Sequence, residues 1–335
     1  MPLRQPLRFS PYPCEKVWGG ERLRVVLGWS SDGHSPIGEV WTLADRPDVD
    51  SRVQGGGLHG RSLQELLRDD RTALLGSTRP AARGAFPLLV KLLDTRKNLS
   101  VQVHPDQRVA RSLGGGAEGK TECWYVLAAE PGARLYLGLR PGVDSDRLAA
   151  LAASPGVVEL LREWPIQAGQ FVYVPPGTVH AIGAGITLVE IQDNSDTTFR
   201  LYDWQRAGLD GEPRRTHVAQ ALRSIDYQQV LAGPVVPESQ ATGTGSSGAT
   251  LIDCPAFRVE WLETNAVISR STCARPLVYV VLAGKGRLMV EGADGEWPIE
   301  PWQTWLLPAD VEGHRIEALA GELSLLAAVP GSQGE

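Results

Sequence analysis

Apolar residues recur at two spacings along this chain, and the spacing changes mark its elements. In residues 62–76 (SLQELLRDDRTALLG), Leu63, Leu66, Leu67, Leu74 and Leu75 share one helical face, and Ser62 with Glu65 matches a capping box, so the pattern predicts a helix. A second short helix is expected over 144–153, ending at Ser154-Pro155-Gly156, with another turn or two over 157–163. Elsewhere short runs rich in Val, Leu, Tyr, Phe and Thr are bounded by Gly, Pro or Asp, which is the signature of strands. They fall at 87–93, 99–104, 123–128, 133–140, 170–174, 186–192 and 197–204. Further strands are expected at 256–263, 277–283, 287–291, 303–307 and 315–329, with almost no helix signal among them. The chain therefore reads as mainly β, its helices sitting as insertions between strands.

A repeat underlies the strand pattern. WPIQAGQFVYVPPGTVH from Trp164 aligns with WPIEPWQTWLLPADVEG from Trp297, so that Trp164/Trp297, Gln170/Gln303 and Pro175/Pro308 keep an offset of 133. Upstream, ECWYVLAAEPGARLYLG from Glu122 resembles LVYVVLAGKGRLMVEG from Leu277, and only the first copy carries a helical stretch, 144–163, between its two segments. Between Gly233 and Thr250 the large apolar residues disappear after Val236 in favour of Gly, Ser, Thr and Ala, a linker composition. The expected organisation is an N-terminal domain over 1–235, a flexible linker over 236–250 and a smaller C-terminal domain over 251–335.

Composition narrows the partners. The chain has 33 Lys plus Arg against 39 Asp plus Glu, a formal charge of −6, and no basic run that would track phosphates, which argues against nucleic acid. No apolar leader and no run of about 18 apolar residues is visible, so the expectation is a soluble, cytoplasmic protein without a membrane partner. Cys14, Cys123, Cys254 and Cys273 stand far apart and read as reduced thiols. The 37 Gly and 24 Pro fit many turns between short strands.

Chemistry concentrates in three segments. On a strand, Gln102 and His104 of Ser100-Val-Gln-Val-His-Pro105 project from one face, and Lys120 and Glu122 share a face in the same way. In Gly169-x5-Pro175-x-Gly177-x2-His180 a strand ends in a turn that returns His180 towards the same interior. Two neutral imidazoles, one carboxylate and one amide oxygen suit zinc, and the single anionic ligand leaves a net positive centre that polarises a substrate oxygen.

These segments resemble cupin motifs, and the chain as a whole resembles the short bacterial branch of the zinc-dependent type I mannose-6-phosphate isomerases. The resemblance rests on KVWGG at 16–20, Gly38-Glu39-Val40-Trp41, FPLLVKLLD at 86–94, LSVQVHPD at 99–106, GKTECWYVL at 119–127 and DNSDTTFRLYDW at 193–204. It implies two cupin (jelly-roll, double-stranded β-helix) domains, one zinc per chain and reversible conversion of mannose 6-phosphate and fructose 6-phosphate. It assigns Gln102, His104, Glu122 and His180 to the metal, Arg200 to the active site, and Lys91, Lys120 and Glu190 to the charged pocket wall. Ser100 and Arg206 fall at phosphate-contact positions. Leu277 stands opposite Glu122 and Gly313 opposite His180, hence one metal only. The expected partner is a small sugar phosphate and the expected state a monomer.

Isomerisation of an aldose to a ketose needs a proton moved between adjacent carbons and a stabilised enediolate oxygen. Glu190 suits the acid/base role, and Lys120 and Arg200 supply positive charge. The competing readings are structural. Lys91 and Glu190 can sit on solvent-facing strand sides, and Arg200 can pair with Asp193, Asp196 or Asp203. His34, His59, His217 and His314 read as hydrogen-bonded residues, and the tryptophans as packing, with Trp18 or Trp124 as candidates for substrate contact. A non-catalytic sugar- or metal-binding bicupin, or an iron-dependent cupin oxygenase or epimerase, are the alternatives in other functional classes.

Overall fold

The computed structural model describes residues 3–30, 36–293 and 295–331. His34 lies outside them. Two compact units emerge: residues 13–40 and 91–236 form one, and residues 1–12, 41–90 and 237–335 the other. Neither is continuous in sequence. In the second unit Leu7–Arg8 pairs antiparallel with Thr304–Leu307, and the Ala309 N–H donates to the Leu74 carbonyl.

Eight consecutive strands from Leu88–Thr95 to Ile186–Asp193 fall into two antiparallel sheets. Numbered one to eight in order, they run 1-8-3-6 in one sheet and 2-7-4-5 in the other, the strand order of a jelly roll. The eight strands from Phe257–Thr264 to Leu323–Pro330 repeat that order in both sheets. The helical stretch that distinguishes the copies lies between the fourth and fifth strands of the first, where the second copy has only a short turn. The first strand is buried along its whole length, which is why FPLLVKLLD reads as a run rather than an alternation. Its barrel core includes Trp18, Trp124, Leu135, Leu137, Val172 and Leu188. The second barrel is filled by Tyr279, Leu288, Val290, Trp305, Ile316 and Leu325 among others.

Several expectations change. The helix over 62–76 is two helices, Leu63–Asp69 and Arg71–Leu75, because Asp70 leaves helical geometry and its carboxylate caps the second through the Ala73 N–H. Residues 157–163 divide into a 3₁₀ turn, Pro155–Leu160, and a strand, Leu161–Pro165. The expected strand 315–329 is a pair, Gly313–Ala318 and Leu323–Pro330, broken near Gly321 with its positive φ of 72°. The segment expected as a flexible linker carries the strand Gln240–Gly243 and the start of Ser246–Asp253, which pair with each other. Small polar residues here build a hairpin on a sheet edge, a role that the same composition serves as readily as it serves a linker.

The repeat is also shifted by one residue at a decisive place. His180 lies opposite Gln102 and Leu137, while His314 lies opposite Arg270 and Val290. Leu137 and Val290 both face their barrel cores, so His314, not Gly313, stands where His180 stands. The loop from Pro308 is one residue longer than the loop from Pro175, which ends the constant offset. His314 is 1% exposed, its Nε2 is hydrogen-bonded to the Tyr279 hydroxyl at 2.8 Å, and its Nδ1 has no partner. Burial, with Arg270 nearby, pushes its pKa down from 6.5 to about 4. Between those values the unfolded chain binds a proton that the folded chain does not. The contribution of His314 to stability is therefore constant above pH 6.5 and is lost as pH drops towards 4. His314→Gln is expected to lose on the order of 3 kcal/mol less than the parent between pH 7 and 4, read by denaturant unfolding. An unchanged acid profile would assign that sensitivity to other groups.

Candidate metal centre and the charged wall beside it

The second, third and seventh strands of the first jelly roll bring the spaced motifs to one place. Val101–Val103 carries Gln102 and is followed directly by His104, Glu122–Ala129 begins with Glu122, and His180–Ile182 begins with His180. The Pro175–Gly177 turn is pinned to the strand holding its partner histidine, since the Gly177 N–H donates to the His104 carbonyl at 2.8 Å. Gly177 has φ of 83°, and a Cβ there would come within 2.9 Å of Asp226 Cβ, so both conformation and space call for glycine. The two imidazole centroids end 5.0 Å apart.

Hydrogen bonds set the tautomers. His104 Nδ1 donates to the Thr197 carbonyl at 2.8 Å and His180 Nδ1 to the Thr178 carbonyl at 2.9 Å. Each ring then points an Nε2 lone pair inward, 3.3 Å from an oxygen of Glu122. Burial, and for His104 also the neighbouring Lys120 ammonium, lowers both imidazole pKa values, to about 4 for His104. Burial opposes the charge of Glu122, yet Lys120 and the two imidazoles hold its carboxyl well below the usual range. Lys120 Nζ lies 2.7 Å from Glu122 Oε2.

This donor set fits a cation. The neutral His180 Nε2 lone pair and Glu122 Oε1, 3.3 Å apart, repel unless positive charge lies between them, a part that the Lys120 ammonium plays between His104 Nε2 and Glu122 Oε2. Both Glu122 oxygens are buried without a well-formed hydrogen bond. Among the described residues, His104, Glu122 and His180 form the one group of His, Cys, Asp or Glu side chains with ligand atoms all within 4.8 Å. Gln102 stands beside them, its amide 3.3 Å from His180 Nε2 and its Oε1 accepting from Ser100 Oγ at 3.1 Å.

A wall of buried charge continues from this cluster. Lys91 Nζ lies 3.2 Å from Glu190 Oε1 and 3.7 Å from Glu39 Oε2, and Lys16 lies 3.4 Å from the other Glu39 oxygen. Burial alone would lower the Lys91 pKa, but the Glu39 and Glu190 carboxylates outweigh it and keep the ammonium charged. Lys91 and Glu190 are each 4% exposed, which removes the solvent-facing alternative for both. Glu39 belongs to this wall although the spacing argument did not single it out. Its signal is the one charged residue in the strand Ile37–Leu43.

Arg200 lies directly opposite Gln102 on the neighbouring strand Phe199–Tyr202, so its side chain leaves on the Gln102 side of the sheet. Its NH1 donates to the Arg215 carbonyl, its Nε is buried without a partner, and its pKa is lowered by burial and by Arg214. Two of the three carboxylates that could pair with it, Asp203 and Asp193, are engaged elsewhere. Asp203 takes Arg206 at 2.7 Å and Arg214 at 2.6 Å, and Asp193 accepts the Thr121 N–H at 3.0 Å. Ser100 is 3% exposed and spends its hydroxyl on Gln102, whereas Arg206 donates to the Asn98 carbonyl as well as to Asp203. Three guanidinium groups around Asp203 leave a local surplus of positive charge.

Trp18 and Trp124 are 3% and 1% exposed and belong to the core of the first barrel. Of the remaining histidines, His59 accepts from the Gly55 N–H and His217 from the Arg200 N–H, as expected for hydrogen-bonded residues.

Comparison with known proteins follows the same lines. The family model for the catalytic domain of phosphomannose isomerase type I matches residues 7–123. Mannose-6-phosphate isomerase of Streptococcus mutans is 34% identical over 97% of this chain and 98% of its own length. ManA, a mannose-6-phosphate isomerase of Bacillus subtilis, is 34% identical over 94% of this chain and 97% of its own. The crystal structure of a Bacillus subtilis mannose 6-phosphate isomerase superposes with a TM-score of 0.86 at 31% identity, covering 96% of this chain and 99% of that one. A zinc-bound mannose 6-phosphate isomerase shares the fold at a TM-score of 0.76 and 16% identity, over 97% of this chain and 99% of that one.

Proposed function

This chain belongs to the type I phosphomannose isomerases, and from that premise we propose that it interconverts mannose 6-phosphate and fructose 6-phosphate by proton transfer through an enediolate at a zinc centre. The observation that carries the reading is the convergence of two neutral imidazoles and a buried carboxylate beside the buried Lys91–Glu190 pair.

His104, Glu122 and His180, with Gln102 as the fourth, are the residues that would hold the metal. Bound there, zinc supplies Lewis acidity towards the oxygens at the two reacting carbons. The chain's own groups do the rest. Glu190 takes the proton from C2 of the open-chain aldose and returns it to C1 for the ketose. Lys91 stays protonated beside it and holds the carboxylate oriented. Lys120, buried between Glu122 and His104, and Arg200, with a buried Nε still unpartnered, place positive charge where the enediolate oxygen develops. Arg206 and its neighbours around Asp203 supply the positive surplus that a phosphate dianion seeks. Ser100 steadies the Gln102 amide.

A second class of reading, a non-catalytic binder, has no use for a buried carboxylate held by an ammonium next to the ligand cluster. A coupled isomerase assay on mannose 6-phosphate, run with metal analysis, separates the roles. The holo protein should turn over substrate, metal-stripped protein should not, and Arg200→Ala should keep its zinc while losing about a hundredfold in kcat. A zinc-loaded protein inactive on mannose 6-phosphate would refute the substrate, and full activity after stripping would refute the metal.

A further inference from the structure

We propose that Trp124 is a positioning residue for the proton-transferring carboxylate: its indole N–H fixes the orientation of Glu190. This rests on the reading of Glu190 given above. Trp124 and Glu190 lie directly opposite each other on paired strands, and Trp124 Nε1 donates to Glu190 Oε2 at 3.2 Å while Lys91 holds Oε1 at 3.2 Å. With one donor on each oxygen, the carboxylate plane is set from two directions, and its rotation would leave a buried donor unpaired. The indole also stands edge-on to His180, with centroids 5.5 Å apart at 67°.

The second jelly roll shows that packing alone does not demand this hydrogen bond. Tyr279 occupies the register of Trp124: Trp124 lies opposite Val172 and Glu190, Tyr279 opposite Trp305 and Ala327. Its ring meets His314 in nearly the same geometry, 5.6 Å at 64°. There, however, the aromatic residue's hydroxyl is hydrogen-bonded to His314 Nε2 at 2.8 Å. In the barrel that has the ligand set, the aromatic donor is turned across the strands to Glu190, and His180 Nε2 remains directed at the cluster. The same edge-to-face contact thus serves two different assignments of one polar atom, and only one of them orders a carboxylate.

The test replaces Trp124 in the zinc-loaded full chain by β-(3-benzothienyl)alanine, which keeps the shape of the bicyclic ring and exchanges N–H for sulfur. Trp124→Phe is the second variant. We expect kcat to fall about tenfold, the loss of one charge-assisted hydrogen bond, with KM for mannose 6-phosphate and zinc content within twofold of the parent. Placed in a Glu190→Gln background, the same replacement should cost little more, because both changes act on one group. An unchanged kcat, the same tenfold loss in the Glu190→Gln background, or a loss that tracks zinc content would each overturn the proposal. Parent-like turnover in Glu190→Gln alone would instead overturn the reading it rests on.

Discussion

Glu122→Gln should leave the chain without bound zinc and with turnover lowered by at least about a thousandfold, the largest effect expected of any single substitution here. Glu122 is the one anion in the cluster, 1% exposed, and its Oε2 faces the Lys120 ammonium. Removing that charge withdraws the ligand and also strands Lys120, whose ammonium lies 2.7 Å from Oε2 and is itself 4% exposed. Breaking one half of a buried pair costs about 3–5 kcal/mol, because the remaining ion keeps its desolvation penalty. Two readouts are therefore expected together: zinc per chain near zero by elemental analysis, and a lowered denaturation midpoint in metal-free buffer. Retention of zinc would remove Glu122 from the ligand set, and an unchanged midpoint would mean that Lys120 finds another partner.

Glu190→Gln should do the opposite to the metal and nearly as much to the chemistry. Zinc content is expected to match the parent, because Glu190 lies on the eighth strand beside Lys91 and Trp124 and outside the ligand cluster. Loss of a positioned acid/base group lowers the rate about 10²–10⁴-fold. Solvent deuterium wash-in at C1 and C2, followed by mass spectrometry, should decline with kcat. If exchange persists at the parental rate, another group moves the carbon-bound proton. Lys91 complicates the stability side, since the substitution removes a carboxylate partner and leaves Glu39 at 3.7 Å. Some loss of stability is expected, smaller than for Glu122→Gln because one partner survives.

Much of the site was legible in the chain. Gln102-x-His104 and Lys120-x-Glu122 are readable because a strand alternates its faces every residue, so ligands two apart share a direction whatever the rest of the fold does. His180 was readable because the Pro175–Gly177 turn is local chemistry. What lies across strands was not. Glu39 is far from Lys91 in sequence, and only strand pairing brings its carboxylate to the ammonium. The partnership of Trp124 with Glu190 likewise depends on the register between the third and eighth strands. The buried positions of Trp18 and Trp124 follow from the barrel interior rather than from their immediate neighbours in the chain.

By itself, the sequence determined a mainly β chain with a repeated unit and, in the first copy, the spaced motifs that carry His104, Glu122 and His180. Each of these depends on residues within one strand, one turn or one motif, where local sterics decide direction. Tertiary structure alone decided which residue of the second copy answers to His180, because a loop longer by one residue shifts an alignment by one while strand register follows the buried face. It also decided that 240–253 pairs as a hairpin, and that Lys91, Glu39, Glu190 and Trp124 form one buried network. Those outcomes depend on desolvation: a charge or an indole N–H taken out of water must find its partner wherever the barrel brings one, at any distance along the chain.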